Sequence, residues 1–264
     1  MAEDKSILYP RYGIGWDEDE LILAYYYYCI LPFGKASSKS KEVIEIAKTL
    51  GRSPGSVSRK LGNFAALDPK MRERGIKGLP NAGKGDAEVA NTFASDWEGL
   101  AERAKEIEAR LLSEQSPSSE PDAFEMPEGK TTEQKTKGRT NQDFFRCAVL
   151  GSYKNRCCIT GLDSVDLLIA SHIKPWSVSD PKTERTNPGN GLCLNALHDR
   201  AFDKGLITVT PDYTIHVSDR LRKQKDNEGI RWLLQYDRRQ IILPERFTPV
   251  KEFLEYHNDV IFTP

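Results

Sequence analysis

Hydrophobic residues in the first part of the chain recur every three or four positions; beyond about residue 145 they come in short runs broken by turn pairs. The first spacing predicts helices and the second short strands. In "GWDEDELILAYYYYCI" Asp17 stands as an N-cap and Glu20, three residues on, completes a capping-box pattern, so a helix starts there. The run Tyr25–Tyr28 points all around that helix, which puts one or two of its rings in the core; any exposed ring would offer a stacking platform. A second helical stretch, "KEVIEIAKTL", places Val43, Ile46, Ala47 and Leu50 on one face. A third, after a turn at Gly51–Gly55, places Val57, Leu61 and Phe64 on another. "DAEVANTFASDWEGLAERAKEIEARLL" continues the helical spacing with a mixed-charge solvated face.

Between Ser113 and Gly138 the pattern lapses into a polar stretch with three prolines and few large apolar residues, which predicts a linker. The expected organisation is a helical domain at 1–113, a flexible linker at 114–138 and a second domain at 139–264. The fold class is α+β: an all-helical N-terminal domain followed by a domain of short strands and helices.

Helix, glycine-containing turn and helix is the helix-turn-helix pattern, whose second helix can enter a DNA major groove; it is equally the pattern of an ordinary helical hairpin with a basic face. On the first reading Arg52, Ser53, Ser56, Ser58, Arg59 and Lys60 stand where phosphates or base edges are met.

Composition narrows the classes. A chain of 264 residues with 38% hydrophobic and 29% charged residues has room for two cores, and a net charge of -1 gives no global attraction to nucleic acid or membrane, so any polyanion site is local. The longest apolar stretch, "LILAYYYYCILPF", has thirteen residues, too few for a hydrocarbon layer of roughly 30 Å. The start, MAEDKSILYP, lacks a signal-peptide pattern, and five cysteines at uneven positions do not form a disulfide framework, so a reducing cytoplasm is expected.

Chemistry concentrates in residues 157–209. The expected order is a turn at Thr160–Asp163, a strand from Val165 to Ile173 that carries His172, and a polar loop through Asn190. A short strand at Leu192–Leu194, a helix of about two turns from Asn195 to Asp203 and a strand at Leu206–Thr210 follow. Two strands, a long loop and a helix make a ββα finger.

In the frame "ASHIKPW…RTNPGNGLCL…HDRAFDKGL", His172, Asn190 and the pair His198-Asp199 resemble the HNH nucleases, which share the ββα-metal finger. The match covers roughly residues 145–260. Within that family the chain looks most like bacterial HNH restriction endonucleases that join the nuclease to an N-terminal DNA-reading domain. The resemblance implies metal-dependent hydrolysis of duplex DNA, with His172 as general base and Asn190 holding the loop that positions it. An imidazole with an ordinary pKa of about 6.5 suits a base near neutral pH.

Asp199 and Asp203, four apart, share a helical face and can grip one hard divalent ion such as Mg²⁺ or Mn²⁺. His198 competes as a ligand and is also a catalytic candidate, while the family's count of nine residues past the asparagine selects Asp199. Many members carry an acid just before the base histidine; here that position is Ser171. The paired Cys-x-x-Cys motifs of many relatives are also absent, since Cys157 and Cys158 have no second pair and Cys193 stands alone, so no structural zinc is expected.

Arg185 is a candidate for DNA-backbone contact and Trp176 for packing. His216 and His257 are expected to pack or lie at the surface. The expected partner is double-stranded DNA, read as a restriction or modified-cytosine site, with Trp16 or the tyrosines as candidates to sense a methyl group. Because one finger cuts one strand, a homodimer is expected. A nickase or homing-type nuclease, and a DNA-binding regulator whose finger has lost activity, are the alternatives.

Overall fold

The computed structural model describes residues 5–78, 83–115 and 130–264, which fall into two compact units divided between Phe144 and Phe145. The middle of the expected linker, 116–129, lies outside the described residues.

The first unit is helical: α1 (Lys5–Leu8), α2 (Glu18–Ile30), α3 (Lys41–Thr49), α4 (Pro54–Leu67), α5 (Pro69–Glu73), α6 (Lys84–Phe93) and α7 (Trp97–Gln115). Asp17 caps α2 as its sequence predicts, with Glu20 N donating to Asp17 Oδ1 at 2.9 Å and Asp17 N to Glu20 Oε2 at 3.0 Å. Tyr25, Tyr26 and Tyr28 are all buried, three where one or two were expected, because α2 packs against α4, α6 and α7 and has little free surface left. Tyr27, the fourth, hydrogen-bonds Glu108.

The apolar faces of α3 and α4 are buried as their spacing requires. The turn between them is shorter than expected: it ends at Ser53, which caps α4, while Gly55 lies inside the helix. Gly51 carries the left-handed turn at φ +60°. The long stretch after residue 84 breaks into two helices, with Ala94 capping the first of them.

Helix α8 (Lys130–Ser152) supplies Phe144 to the first unit and Phe145, Ala148 and Val149 to the second. It begins inside the expected 114–138 linker.

The second unit then runs β1 (Leu168–His172), β2 (Gly191–Asn195), α9 (Ala196–Asp203), β3 (Ile207–Val209) and β4 (Ile215–Val217). The short helices α10 (Asp219–Arg222), α11 (Glu228–Leu234) and α12 (Lys251–Tyr256) close it. β1 and β2 pair antiparallel, His172 opposite Gly191 and Leu168 opposite Asn195, and β3 and β4 form a second antiparallel pair. β1 begins at Leu168 rather than Val165 because residues 165–167 form a turn of 3₁₀ helix.

The fold is thus mixed: a helical first unit, and a second unit of helices with two small antiparallel sheets. The core of the second unit gathers Leu168, Ile173, Leu192, Leu194 and Phe202 under α8. No described helix is long and apolar enough to cross a membrane.

Candidate active site

β1 delivers His172 to the mouth of the sheet. The imidazole stacks on Phe145 of α8, with ring centroids 3.8 Å apart and planes 12° apart, and meets the edge of Trp176 at 5.6 Å. Its Nε2–H donates to the main-chain carbonyl of Arg185 at 2.8 Å, which fixes the proton on that nitrogen and leaves the lone pair on Nδ1. Burial pushes the pKa of His172 down; the Arg185 carbonyl and the nearby Asp203 carboxylate pull the other way. Phe145 reaches this position because the residue facing His172 across the sheet is Gly191: a Cβ there would run into Val149 and Phe145.

Asn190 is fully buried and knits the intervening loop. Its Oδ1 accepts from Lys174 N at 2.8 Å, and its Nδ2 donates to the carbonyls of Lys174 at 3.1 Å and Glu184 at 3.2 Å. Lys174 Nζ closes the same loop on Glu184 at 2.6 Å. That loop presents the Arg185 carbonyl to His172. Arg185 therefore acts on the histidine through its main chain, while its Nε is held by the carbonyls of Trp176 and Ser179. Sequence reasoning assigned DNA contact to its side chain and missed the carbonyl, which no residue type signals.

Asn195 caps α9 with Oδ1 on the N–H groups of Leu197 and His198. Asp199 is half-buried and Asp203, one turn on, exposed. Burial raises the pKa of Asp199, and the Asp203 carboxylate raises it further; the Ser171 hydroxyl and Arg200 lower it. Ser171 Oγ, buried at the preceding position of β1, lies close enough to favour the Asp199 carboxylate yet completes no regular hydrogen bond.

His198, beside Asp199 in the helix, is buried, and its Nε2 has no hydrogen-bond partner among the described residues. Asn195 Nδ2 lies 3.0 Å from its Nδ1, and its ring sits against Trp232 at 4.8 Å and Tyr236 at 5.2 Å. Burial alone drives its pKa down to about 4. One residue of helical rotation separates it from Asp199, and that places it on the packed side of α9.

Among the described residues no group of three or more His, Cys, Asp or Glu gathers as a metal cluster. Asp199 and Asp203 are nevertheless two neighbouring oxygen donors whose mutual repulsion a cation would relieve. Mg²⁺ is commonly held by one or two carboxylates, with water and substrate phosphate completing its shell, so these residues fit a hard divalent ion. Cys157, Cys158 and Cys193 are buried together, and Cys157 Sγ accepts from Asn195 N at 3.3 Å.

The predicted DNA contacts of the first unit divide. Arg52 is 3% exposed: its Nε and Nη2 each meet Glu20 at 2.6 Å, and Nη1 and Nη2 also reach the carbonyls of Ile14 and Gly15. Lys60 is buried on Asp86 at 2.6 Å. Both were expected at the surface and are internal ion pairs instead, since a charge taken out of water must find a partner. Ser56 is half-buried, and Arg59 is exposed.

His172 and the pair Asp199 and Asp203 thus lie on one strand-helix unit. Residues 157–210, which hold β1, β2, α9 and β3, match the sequence model of a family described as HNH endonuclease, so this part of the chain is an HNH endonuclease domain. Such domains point to nuclease action on nucleic acid and generally use a divalent metal ion. No curated protein matches the chain.

Proposed function

We propose that the protein is a metal-dependent endonuclease that hydrolyses phosphodiester bonds of duplex DNA, with β1, β2 and α9 acting as a ββα-metal finger. The observation that carries this reading is the setting of His172. Its Nε2–H is spent on the Arg185 carbonyl, and Nδ1 has no hydrogen-bond partner among the described residues. Burial keeps the ring neutral near neutral pH. A neutral, oriented imidazole with one free lone pair is equipped to take a proton from water. Asn190 holds the loop that holds His172.

Asp199 and Asp203 would bind the divalent ion, Mg²⁺ or Mn²⁺, which when bound supplies positive charge against the phosphate and the leaving oxygen. His198 enters as support for the start of α9. Of the first unit's candidates, Ser56 and Arg59 remain for DNA contact, since the Ser53 hydroxyl caps α4 and the Ser58 hydroxyl donates to the Ala36 carbonyl at 2.6 Å, and the Nη groups of Arg185 remain in the second unit. The helix-turn-helix reading of α3 and α4 rests on those two residues alone.

We further infer a restriction role in which the first unit reads modified cytosine, methylated or hydroxymethylated. Its support is the joining of an HNH endonuclease domain to a separate compact unit with cavities of its own. One finger cuts one strand, so cutting both calls for a homodimer. One observation favours a DNA-binding regulator instead: Ser171 stands in place of a third acidic donor.

Purified protein and its His172→Ala variant, incubated with methylated and unmethylated plasmid in Mg²⁺, Mn²⁺ or EDTA, decide between them. Expected is metal-dependent cutting that drops by a factor on the order of 10²–10⁴ in the variant. No cutting by the wild type under any of these conditions, with DNA binding intact, would move the assignment to the regulator.

A further inference from the structure

Helix α4 carries the cations expected to read DNA, but it is enclosed by α2, α3 and α6, and of its two cations only Arg59 is exposed. Beside its first turn the unit is hollow. Two cavities of about 420 and 320 Å³ share Trp16, Ser56 and Arg59 in their walls. The polar groups on that shared wall can all donate: the Trp16 indole N–H, the Ser56 hydroxyl and the Nη groups of Arg59. None has a hydrogen-bond partner among the described residues, and the Nε of Arg59 alone is engaged, on Gly55 O at 3.1 Å.

The floor of the larger cavity differs. Asp86 accepts from Lys60 Nζ at 2.6 Å and Asn63 Nδ2 at 3.1 Å. A carboxylate offers about four lone-pair sites and an ammonium three donors, so both donor and acceptor capacity remain there. Trp16 is fixed, with Arg52 4.4 Å and Lys60 5.0 Å from its ring centroid.

A wall of donors that includes a guanidinium suits phosphate oxygens. A mixed donor and acceptor floor suits the edge of a heterocyclic base. A cavity of about 420 Å³ has the size of an ordinary small-ligand site.

We propose that this hollow is a nucleotide site, taking a phosphate on Arg59 and Ser56 with its base in the larger cavity against Asp86. The nucleotide comes either from DNA, swung out of the duplex, or from the free pool. In the first case the proposal rests on the DNA reading above and replaces insertion of α4 into a groove with capture of one nucleotide. Extruding a base costs least where the base is unpaired, so this mode predicts tighter binding to a mismatch.

The test uses the full chain in EDTA, so that nothing is cut. Fluorescence anisotropy measures the affinity of a labelled duplex with and without one mismatch, across a salt series, and calorimetry measures binding of free nucleoside monophosphates. Wild type is compared with Arg59→Ala, and with Arg72→Ala as an exposed control on α5.

For a nucleotide drawn from DNA, the mismatched duplex binds severalfold tighter. Arg59→Ala then weakens binding roughly tenfold and lowers the salt slope by about one, while Arg72→Ala changes neither. For a free nucleotide, monophosphates bind the wild type and not Arg59→Ala, with no mismatch preference. No monophosphate binding, no mismatch preference and an unchanged affinity and slope in Arg59→Ala overturn the site. Plasmid cutting in a separate Mg²⁺ reaction then still stands as evidence for the nuclease, so the two readings fail independently.

Discussion

A buried ion pair of the first unit and the histidine-carboxylate cluster of the second treat charge in opposite ways. In the first, Arg52 and Glu20 saturate each other through two contacts of 2.6 Å. In the second, Asp199 and Asp203 face each other with like charge, Ser171 Oγ completes no regular hydrogen bond, and His172 keeps a free Nδ1. Saturated charge supports the fold. Unsaturated polar groups, held in place by neighbours that cannot neutralise them, are free to act on something from outside.

Three substitutions or conditions would break or sharpen this contrast. The largest effect on stability falls in the first unit. Arg52→Ala leaves Glu20 buried without its main partner, and removing one member of a buried pair costs about 3–5 kcal/mol. Calorimetric or denaturant unfolding should show this loss for the first unit, whereas wild-type stability would place the pair among ornamental contacts.

Next comes acid. His257 is 1% exposed, donates from Nε2 to the Phe202 carbonyl at 3.2 Å and accepts at Nδ1 from the Thr208 hydroxyl at 2.8 Å. Burial drives its pKa from 6.5 down to about 4, so the unfolded chain binds a proton that the folded chain refuses between those values. Stability is complete above about pH 6.5 and falls as pH drops toward 4. At about 1.4 kcal/mol per pH unit the loss is on the order of 3 kcal/mol. A urea midpoint measured at pH 7 and pH 4.5 checks it, and His257→Gln should remove its share of the dependence while leaving that of His198, whose pKa burial also drives down to about 4.

The smallest effect has the opposite sign. Asp199 has a raised folded pKa, so its ionised form works against the fold at neutral pH. Asp199→Asn should hold or slightly raise the thermal midpoint while abolishing Mn²⁺ binding by calorimetry. A clear fall in midpoint would show that Asp199 is a structural carboxylate like Glu20.

Legibility follows the same division. The capping box at Asp17 and Glu20, the apolar faces of α3 and α4, and the β1, β2, α9 order around His172 and Asn190 were readable, because period, cap chemistry and turn residues are local. The Arg52 and Lys60 placements were not. Each has the residue type and spacing of a surface contact, and each is claimed by a partner brought up by folding: Glu20 and Asp86. Phe145 and the Arg185 carbonyl left no signal, since an apolar side chain and a peptide oxygen look alike everywhere along a chain.

By itself the sequence determined the helical character of the first unit, the strand-loop-strand-helix order of the second, and the types of group available for catalysis. Only the tertiary structure decided which of those groups were spent. Whether a charge is neutralised depends on a residue 26 or 32 positions away, and that distance closes only when the core forms.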